Sequence, residues 1–288
     1  MKLMRVGEAG AERPVVGTAE QWFDASGVTR DFDADFFATG GIERLGSALA
    51  SGELPPTAID GERIGAPILR PPSVLCIGMN FAAHAAESGA LPPEELVIFF
   101  KKSNTVVGPN DPIRRVDVRS TLDWEVELGI VVGAPLHGEV TSHAAMAAIA
   151  GYVLADDVSD RWLQLDRSGG QWSKGKCFPG SCALGPWIAT ADEIEDPQKL
   201  DMRSWVNGEP RQASNTSDMV FSVAQIMMEL ARVMTLEPGD VILTGTPQGV
   251  ALSGRFPYLA SGDRVRMTID GLGEIEQSVE PFPVKEIA

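Results

Sequence analysis

Three histidines, His84, His137 and His143, leave too little material for a histidine-rich zinc site. Three cysteines, Cys76, Cys177 and Cys182, fall at no metal-site spacing and are odd in number, which fits buried thiols in a reducing compartment. No apolar run approaches the ~18 residues of a membrane span. The first residues, Met1-Lys2-Leu3-Met4-Arg5-Val6-Gly7, lack the apolar core of a signal peptide, so a cytoplasmic location is expected. Basic residues are scarce as well: 24 Lys and Arg stand against 40 Asp and Glu, for a net charge of −16. That argues against nucleic acid or an anionic membrane as partner, because both are bound through basic patches. A small anionic substrate would need positive potential made locally, from a metal, lysine or arginine. Internal repeats, low-complexity tracts and a phosphate-loop pattern are all missing.

What remains is a chain of 288 residues with 44% apolar content, enough for one large domain or a large and a small one. Residues 1–66 differ in texture from the rest. They hold two short strand-like runs, Leu3–Val6 and Pro14–Gly17, and a helical spacing of Ile42, Leu45 and Leu49. They read as a small N-terminal accessory domain, with residues 67–288 as the main domain. The proline pair in Ile68–Ser73 reads as a stiff linker between them.

Ser73–Gly78 is a buried-strand run, followed by an Ala-rich helical stretch with Asn80 at its start and Gly89 at its end. His84 and Glu87 sit at i,i+3 and therefore share a face. A carboxylate there raises the basicity of the ring and orients it, while a surface ion pair is the plain alternative. Ser222 to Met234 is the clearest helix. Ser222 and Gln225 form a capping box, and Val223, Ile226, Met227, Leu230, Val233 and Met234 form an apolar face.

The stretch Asp123-Trp124-Glu125-Val126-Glu127-Leu128-Gly129-Ile130-Val131-Val132 reads as a strand, with Gly129 marking a bulge or a close approach. Side chains two apart share a face, so Glu125 and Glu127 point the same way with about 6.6 Å between their Cα atoms. Two carboxylates on one face repel each other unless they are solvated or share a hard divalent cation. Alternation alone favours the solvated face, because alternating polar and apolar residues are ordinary in half-buried strands. A second apolar strand, Ile149–Ala155, ends in Asp156-Asp157, where a third carboxylate can arrive or a turn can be capped. The Gly-rich stretch Gly169–Gly180 carries Lys174 and Lys176 and by itself reads as a surface loop.

Taken in order, several stretches resemble the fumarylacetoacetate hydrolase family over roughly residues 70–285. They are Ile77-Gly78-Met79-Asn80-Phe81 with His84 and Glu87; Val107-Gly108-Pro109-Asn110-Asp111; Asp123–Leu128; Asp157-Val158-Ser159 with Arg161; Gln171-Trp172 with Lys176; and Pro238-Gly239-Asp240 with Thr244-Gly245-Thr246-Pro247. The resemblance implies an α+β fold: a mixed β-sheet roll, as a homodimer or higher homo-oligomer, with a divalent metal at its mouth (Mg²⁺ or Mn²⁺, with Ca²⁺ as a further candidate). It assigns the metal carboxylates to Glu125, Glu127 and Asp157, with Asp156 behind them, and a catalytic set to His84, Glu87 and Lys176. It places Lys101, Arg161, Gln164 and Thr246 at the substrate's oxygens. Phe81 departs from the family, where many relatives carry Tyr.

The expected chemistry is metal-dependent hydrolysis of the C3–C4 bond of a 2,4-diketo acid, releasing pyruvate. By analogy with relatives of this length the substrate would be a sugar acid such as 2,4-diketo-3-deoxy-L-rhamnonate, giving pyruvate and lactate. Alternatives are a decarboxylase or isomerase of related keto acids using the same metal and, in another class, a non-catalytic, metal-stabilised binding protein.

Overall fold

The β-branched runs of this chain assemble into sheets, and in the computed structural model those sheets fix where the acidic pairs lie. The structure describes residues 1–18, 21–87 and 89–281. Among the described residues the largest sheet has twelve strands. Across its main path run Trp22–Asp24, Arg13–Gly17, Lys2–Val6, Ile188–Thr190, Ile149–Asp157, Val126–Val132, Val241–Leu243, Val74–Gly78 and Val97–Lys101. A five-stranded sheet stands against it, ordered Glu209–Asn215, Asp201–Val206, Arg264–Ile269, Gly273–Glu280 and Ile113–Arg114. With few helices and both parallel and antiparallel pairings, this is the mixed, α+β architecture expected.

Val126–Val132 and Ile149–Asp157 are buried at every position. That is the pattern of strands covered on both faces, not of a half-wet pair. They pair antiparallel with Val126 opposite Asp156, Glu127 opposite Ala155 and Gly129 opposite Val153. A Cβ on Gly129 would lie 2.7 Å from Val153 Cγ1 and 3.2 Å from Val153 O, so the close approach read from the sequence is real. One face of this pair packs Leu128, Ile130, Val132 and Leu154 against Ile226, Met227 and Leu230. The other packs Val131, Val153 and Leu243 against Leu3, Val16, Phe32 and Leu45.

The helix Val223–Val233 has its capping box at Ser222 and Gln225. Its buried stripe is Val223, Ile226, Met227, Leu230 and Ala231, whereas Val233, counted in the apolar face from the sequence, is exposed. Position 231 lies closer to the line of 223, 227 and 230 than 233 does. Gly41–Ala50 is helical, as its spacing predicts.

The N-terminal segment joins the large sheet instead of standing beside it. Lys2–Val6 pairs with Ile188–Thr190 on one edge and with Arg13–Gly17 on the other, and Ile64–Gly65 also bonds to it. The stretch read as a linker is packed: Ile68 is buried, and the Leu69 N–H donates to Phe32 O at 2.8 Å. Among the described residues no helix is long and apolar enough to cross a membrane.

Candidate metal centre

The register of two buried strands brings three carboxylates together. Glu125 immediately precedes Val126–Val132, Glu127 lies within it, and Asp157 closes Ile149–Asp157. The Asp157 N–H donates to Glu125 O at 3.1 Å, which locks the two strand ends. One oxygen from each of Glu125, Glu127 and Asp157 lies within 4.8 Å of the others. All three residues are buried, so the solvated-face reading of the Glu pair does not hold.

Cations crowd this triad. Lys176 Nζ lies 2.6 Å from Glu125 Oε2 and 2.7 Å from Asp157 Oδ2. Lys101 Nζ lies 2.6 Å from Asp157 Oδ1. Arg161 donates from Nη2 to Glu125 Oε1 at 2.7 Å, from Nε to Asp123 Oδ2 at 2.8 Å and from Nη1 to Gln164 Oε1 at 2.8 Å. Five buried carboxylates (Asp123, Glu125, Glu127, Asp156 and Asp157) thus share the region with three buried cations. Two of the carboxylates are therefore left without a cation, and they ionise together with the rest only if further positive charge, such as a divalent cation, is supplied.

The acidities follow from the packing. Burial pulls the Glu125 carboxyl up, but the charges of Lys176 and Arg161 outweigh it and hold the group below the usual carboxylate range. Glu127 goes the other way: burial, then the charges of Asp157 and Glu125, push it well above that range. A carboxylate that close neighbours discourage from ionising is one that a bound cation would stabilise most. Oxygen-only donors suit a hard ion, so the residues present fit a divalent metal. Asp156 turns aside. Its Oδ1 accepts the Glu125 N–H at 3.0 Å, its Oδ2 is buried without a partner, and burial pushes its pKa well above the usual carboxylate range.

A single loop serves the carboxylates from above. The Gly245 N–H donates to Glu127 Oε2 at 2.8 Å, and the Gly249 N–H to both oxygens of Glu87 at 3.0 and 3.1 Å. The Ala251 and Leu252 N–H groups donate to Asp123 at 2.8 and 3.0 Å. Thr246 donates its hydroxyl to Val126 O at 3.0 Å and accepts from Gln212 Nε2 at 2.8 Å.

His84 and Glu87 do share a face of the short helix Ala82–Glu87, yet they are not hydrogen-bonded. Their nearest approach is 3.8 Å, His84 Nδ1 has no partner, and the Glu87 carboxylate is taken by Gly249 and approached by Arg255 at 3.5 Å. Burial lowers the His84 pKa, so the ring is neutral near pH 7. Asn80 does not cap this helix. Its amide donates to Phe221 O and Thr244 O while its oxygen accepts the Phe221 N–H, and Asp218 takes the Ala83 N–H instead.

His84, Glu125, Glu127, Arg161, Gln164, Lys176 and Thr246 open onto one cavity of about 160 Å³. Lys101 reaches the triad from beneath, and Phe81 is buried in the core. His137 and His143 are exposed. A larger cavity of about 460 Å³, beside Arg5 and Arg63, holds no such triad, and both guanidiniums there are already paired, with Asp31, Glu12 and Asp111. Sequence reasoning passed over Asp123 as a site residue, although a period of two from Glu125 puts it on the same face. It also passed over Ser159, whose hydroxyl donates to Glu125 at 3.2 Å, and Gln212, neither of which has any local signal.

The sequence profile of the fumarylacetoacetate (FAA) hydrolase C-terminal family matches residues 73–280. A Burkholderia multivorans protein named "Putative hydrolase" is 45% identical over 285 residues, covering 95% of this chain and 97% of that one. Two solved structures are close in shape. A fumarylacetoacetate hydrolase from psychrophilic Exiguobacterium antarcticum is 34% identical with a TM-score of 0.83, over 97% of this chain and 99% of its own. Maleylpyruvate hydrolase from Sphingobium sp. SYK-6, in complex with manganese (II) ion and pyruvate, is 27% identical with a TM-score of 0.81, over 98% of this chain and 100% of its own.

Proposed function

We propose that this chain, which belongs to the fumarylacetoacetate hydrolase family, is a divalent-metal-dependent hydrolase that cleaves the C3–C4 bond of a 2,4-diketo acid. The observation that carries the reading is the buried cluster of Glu125, Glu127 and Asp157, of which Glu125 and Glu127 line a small cavity that also holds a neutral histidine. The balance is one diketo acid plus water giving a carboxylic acid and pyruvate.

Glu125, Glu127 and Asp157 would hold the ion, whose contribution when bound is Lewis-acid stabilisation of negative charge on the substrate's keto oxygen. The protein's own groups supply the rest. His84, kept neutral by burial, takes a proton from water as it attacks the C4 carbonyl. The amide nitrogen of Gln164, held in place by the Arg161 bond to its oxygen, donates toward the oxygen that becomes negative. Lys176, kept charged by Asp157 and Glu125 despite its burial, adds positive potential at the same wall.

The test is pyruvate release from a panel of 2,4-diketo acids with Mg²⁺, Mn²⁺ or EDTA, with oxaloacetate beside it and corrected for metal-only decay. Metal-dependent cleavage that falls by on the order of a hundredfold or more in Glu125→Gln supports the hydrolase. A second reading, decarboxylation or isomerisation, is favoured by one observation: the Glu87 carboxylate is committed to Gly249, so His84 lacks the partner a water-activating dyad needs. Turnover of oxaloacetate alone would select it.

A further inference from the structure

The cavity has two unlike walls. One is Glu125 and Glu127 with Arg161, Lys176, Thr246, Gln164 and His84. The other is Ile77, Met79, Phe99, Leu165, Trp172 and Leu252. Within this set Phe99 and Trp172 pack together. Trp172 stands edge-on to Phe99 with ring centroids 5.9 Å apart, and it lies over Gly78, where a Cβ would come within 2.6 Å of the ring. Lys176 Nζ lies 5.1 Å from the centre of the Phe99 ring, so the apolar wall begins at the triad itself. Met79 joins it from a backbone at φ +59, a conformation rare for a side chain of this kind. Leu165 is 46% exposed at the rim, in the short π-helical turn Trp162–Asp166.

The polar atoms of the cavity are already committed. Both lining cations are ion-paired, Arg161 to Asp123 and Glu125 and Lys176 to Glu125 and Asp157. The Thr246 hydroxyl both donates and accepts. Among the described residues the His84 ring, the Gln164 amide nitrogen and the Trp172 indole N–H are left, and the proposed reaction uses the first two. A second carboxylate on the substrate would therefore meet no unpaired cation. A hydroxylated tail would lose its hydration against hydrocarbon with few donors or acceptors to replace it.

We propose that Met79, Leu165, Trp172 and Leu252 form an acyl-group pocket, and that the substrate is a monocarboxylate 2,4-diketo acid whose acyl side is a short, unhydroxylated hydrocarbon chain. The inference rests on the diketo-acid reading and replaces the sugar-acid tail expected from the sequence. It is tested on the metal-loaded protein by comparing kcat/KM for straight-chain alkyl acylpyruvates of rising length, a diacid of the maleylpyruvate type and a 2,4-diketo-3-deoxy sugar acid. Each added methylene raises kcat/KM about fourfold until the pocket is full. The diacid and the sugar acid fall at least about tenfold below the alkyl substrate of equal length. Leu165→Arg, a change the open rim tolerates, moves the preference toward the diacid, and Trp172→Ala moves the optimum to longer chains. Equal or faster turnover of the diacid or sugar acid by the unaltered protein overturns the acyl pocket and leaves the hydrolase standing. No pyruvate from any diketo acid overturns the hydrolase, and the pocket assignment falls with it.

Discussion

Glu125 and Glu127 are two residues apart and chemically the same, yet their surroundings drive them in opposite directions. Lys176 and Arg161 hold Glu125 ionised, whereas Glu127, with the Gly245 N–H as its hydrogen-bond donor, is pushed toward its protonated form by burial and by its neighbours. The same logic sets His84. Its pKa is lowered by burial in the folded protein, so protonation is disfavoured there, and the neutral ring persists as pH falls through the ordinary histidine value of about 6.5. The expected consequence is an acid limb of log kcat/KM with its midpoint below about 6.5, and the limb is lost in His84→Gln. A midpoint above that value would remove His84 as the base. The folded state gives up stability from this group only as pH drops from about 6.5 toward the lowered value, because below that it must carry a buried charge. At this scale the Glu-x-Glu pair and the His84–Glu87 spacing were legible. The true partner of Glu87 was not, because Gly249 lies 162 residues away.

At the scale of elements, the helix Val223–Val233 was readable because both its cap and its stripe are local signals. The loop from Thr244 to Leu252 carries no such signal, since its role lies in backbone N–H groups that every non-proline residue possesses. Four of those groups hold Glu127, Glu87 and Asp123, so the loop ties the clustered carboxylates to the short helix that bears His84. Gly249 makes this possible: it sits at φ +100, and a Cβ there would lie 2.3 Å from Arg211 O. Gly249→Ala is therefore expected to cost about 1–3 kcal/mol of stability. It should also release Glu87 and reduce kcat about tenfold or more, read by thermal melting beside steady-state kinetics. Wild-type values on both counts would show that the loop has no such duty.

For the whole molecule, residues 1–66 and the remainder share one sheet and one core. Lys2–Val6 bonds directly to Ile188–Thr190, and Leu3, Val16, Phe32 and Leu45 pack with Val131, Val153 and Leu243 behind the strands that carry the triad. Deleting residues 1–66 would uncover that apolar face and leave a sheet edge unpaired. The truncated chain is expected to be recovered aggregated or without a cooperative melt. A monodisperse 67–288 fragment that melts cooperatively would instead make the N-terminal segment a separate domain. The net charge of −16 adds self-repulsion over the surface, and among the described residues three of the four buried cations, Lys101, Arg161 and Lys176, are gathered around the carboxylate cluster.

The sequence by itself determined several of the large sheet's strands, the capped helix and the acidic pairs, because alternation, β-branching and capping act over a few residues, whereas Asp201–Val206 and Glu209–Asn215 were not read from it. Its ordered motifs were also enough to indicate the family. Tertiary structure alone decided which acids meet, since antiparallel register joins Glu125 to Asp157 and turns Asp156 aside. It alone showed that His84 and Glu87 are neighbours without a hydrogen bond. It alone lined one wall of the cavity with Met79, Leu165, Trp172 and Leu252, four residues scattered over 174 positions, which no local pattern connects. Periodicity describes a residue's neighbours along the chain, whereas a binding cavity is made of neighbours across it.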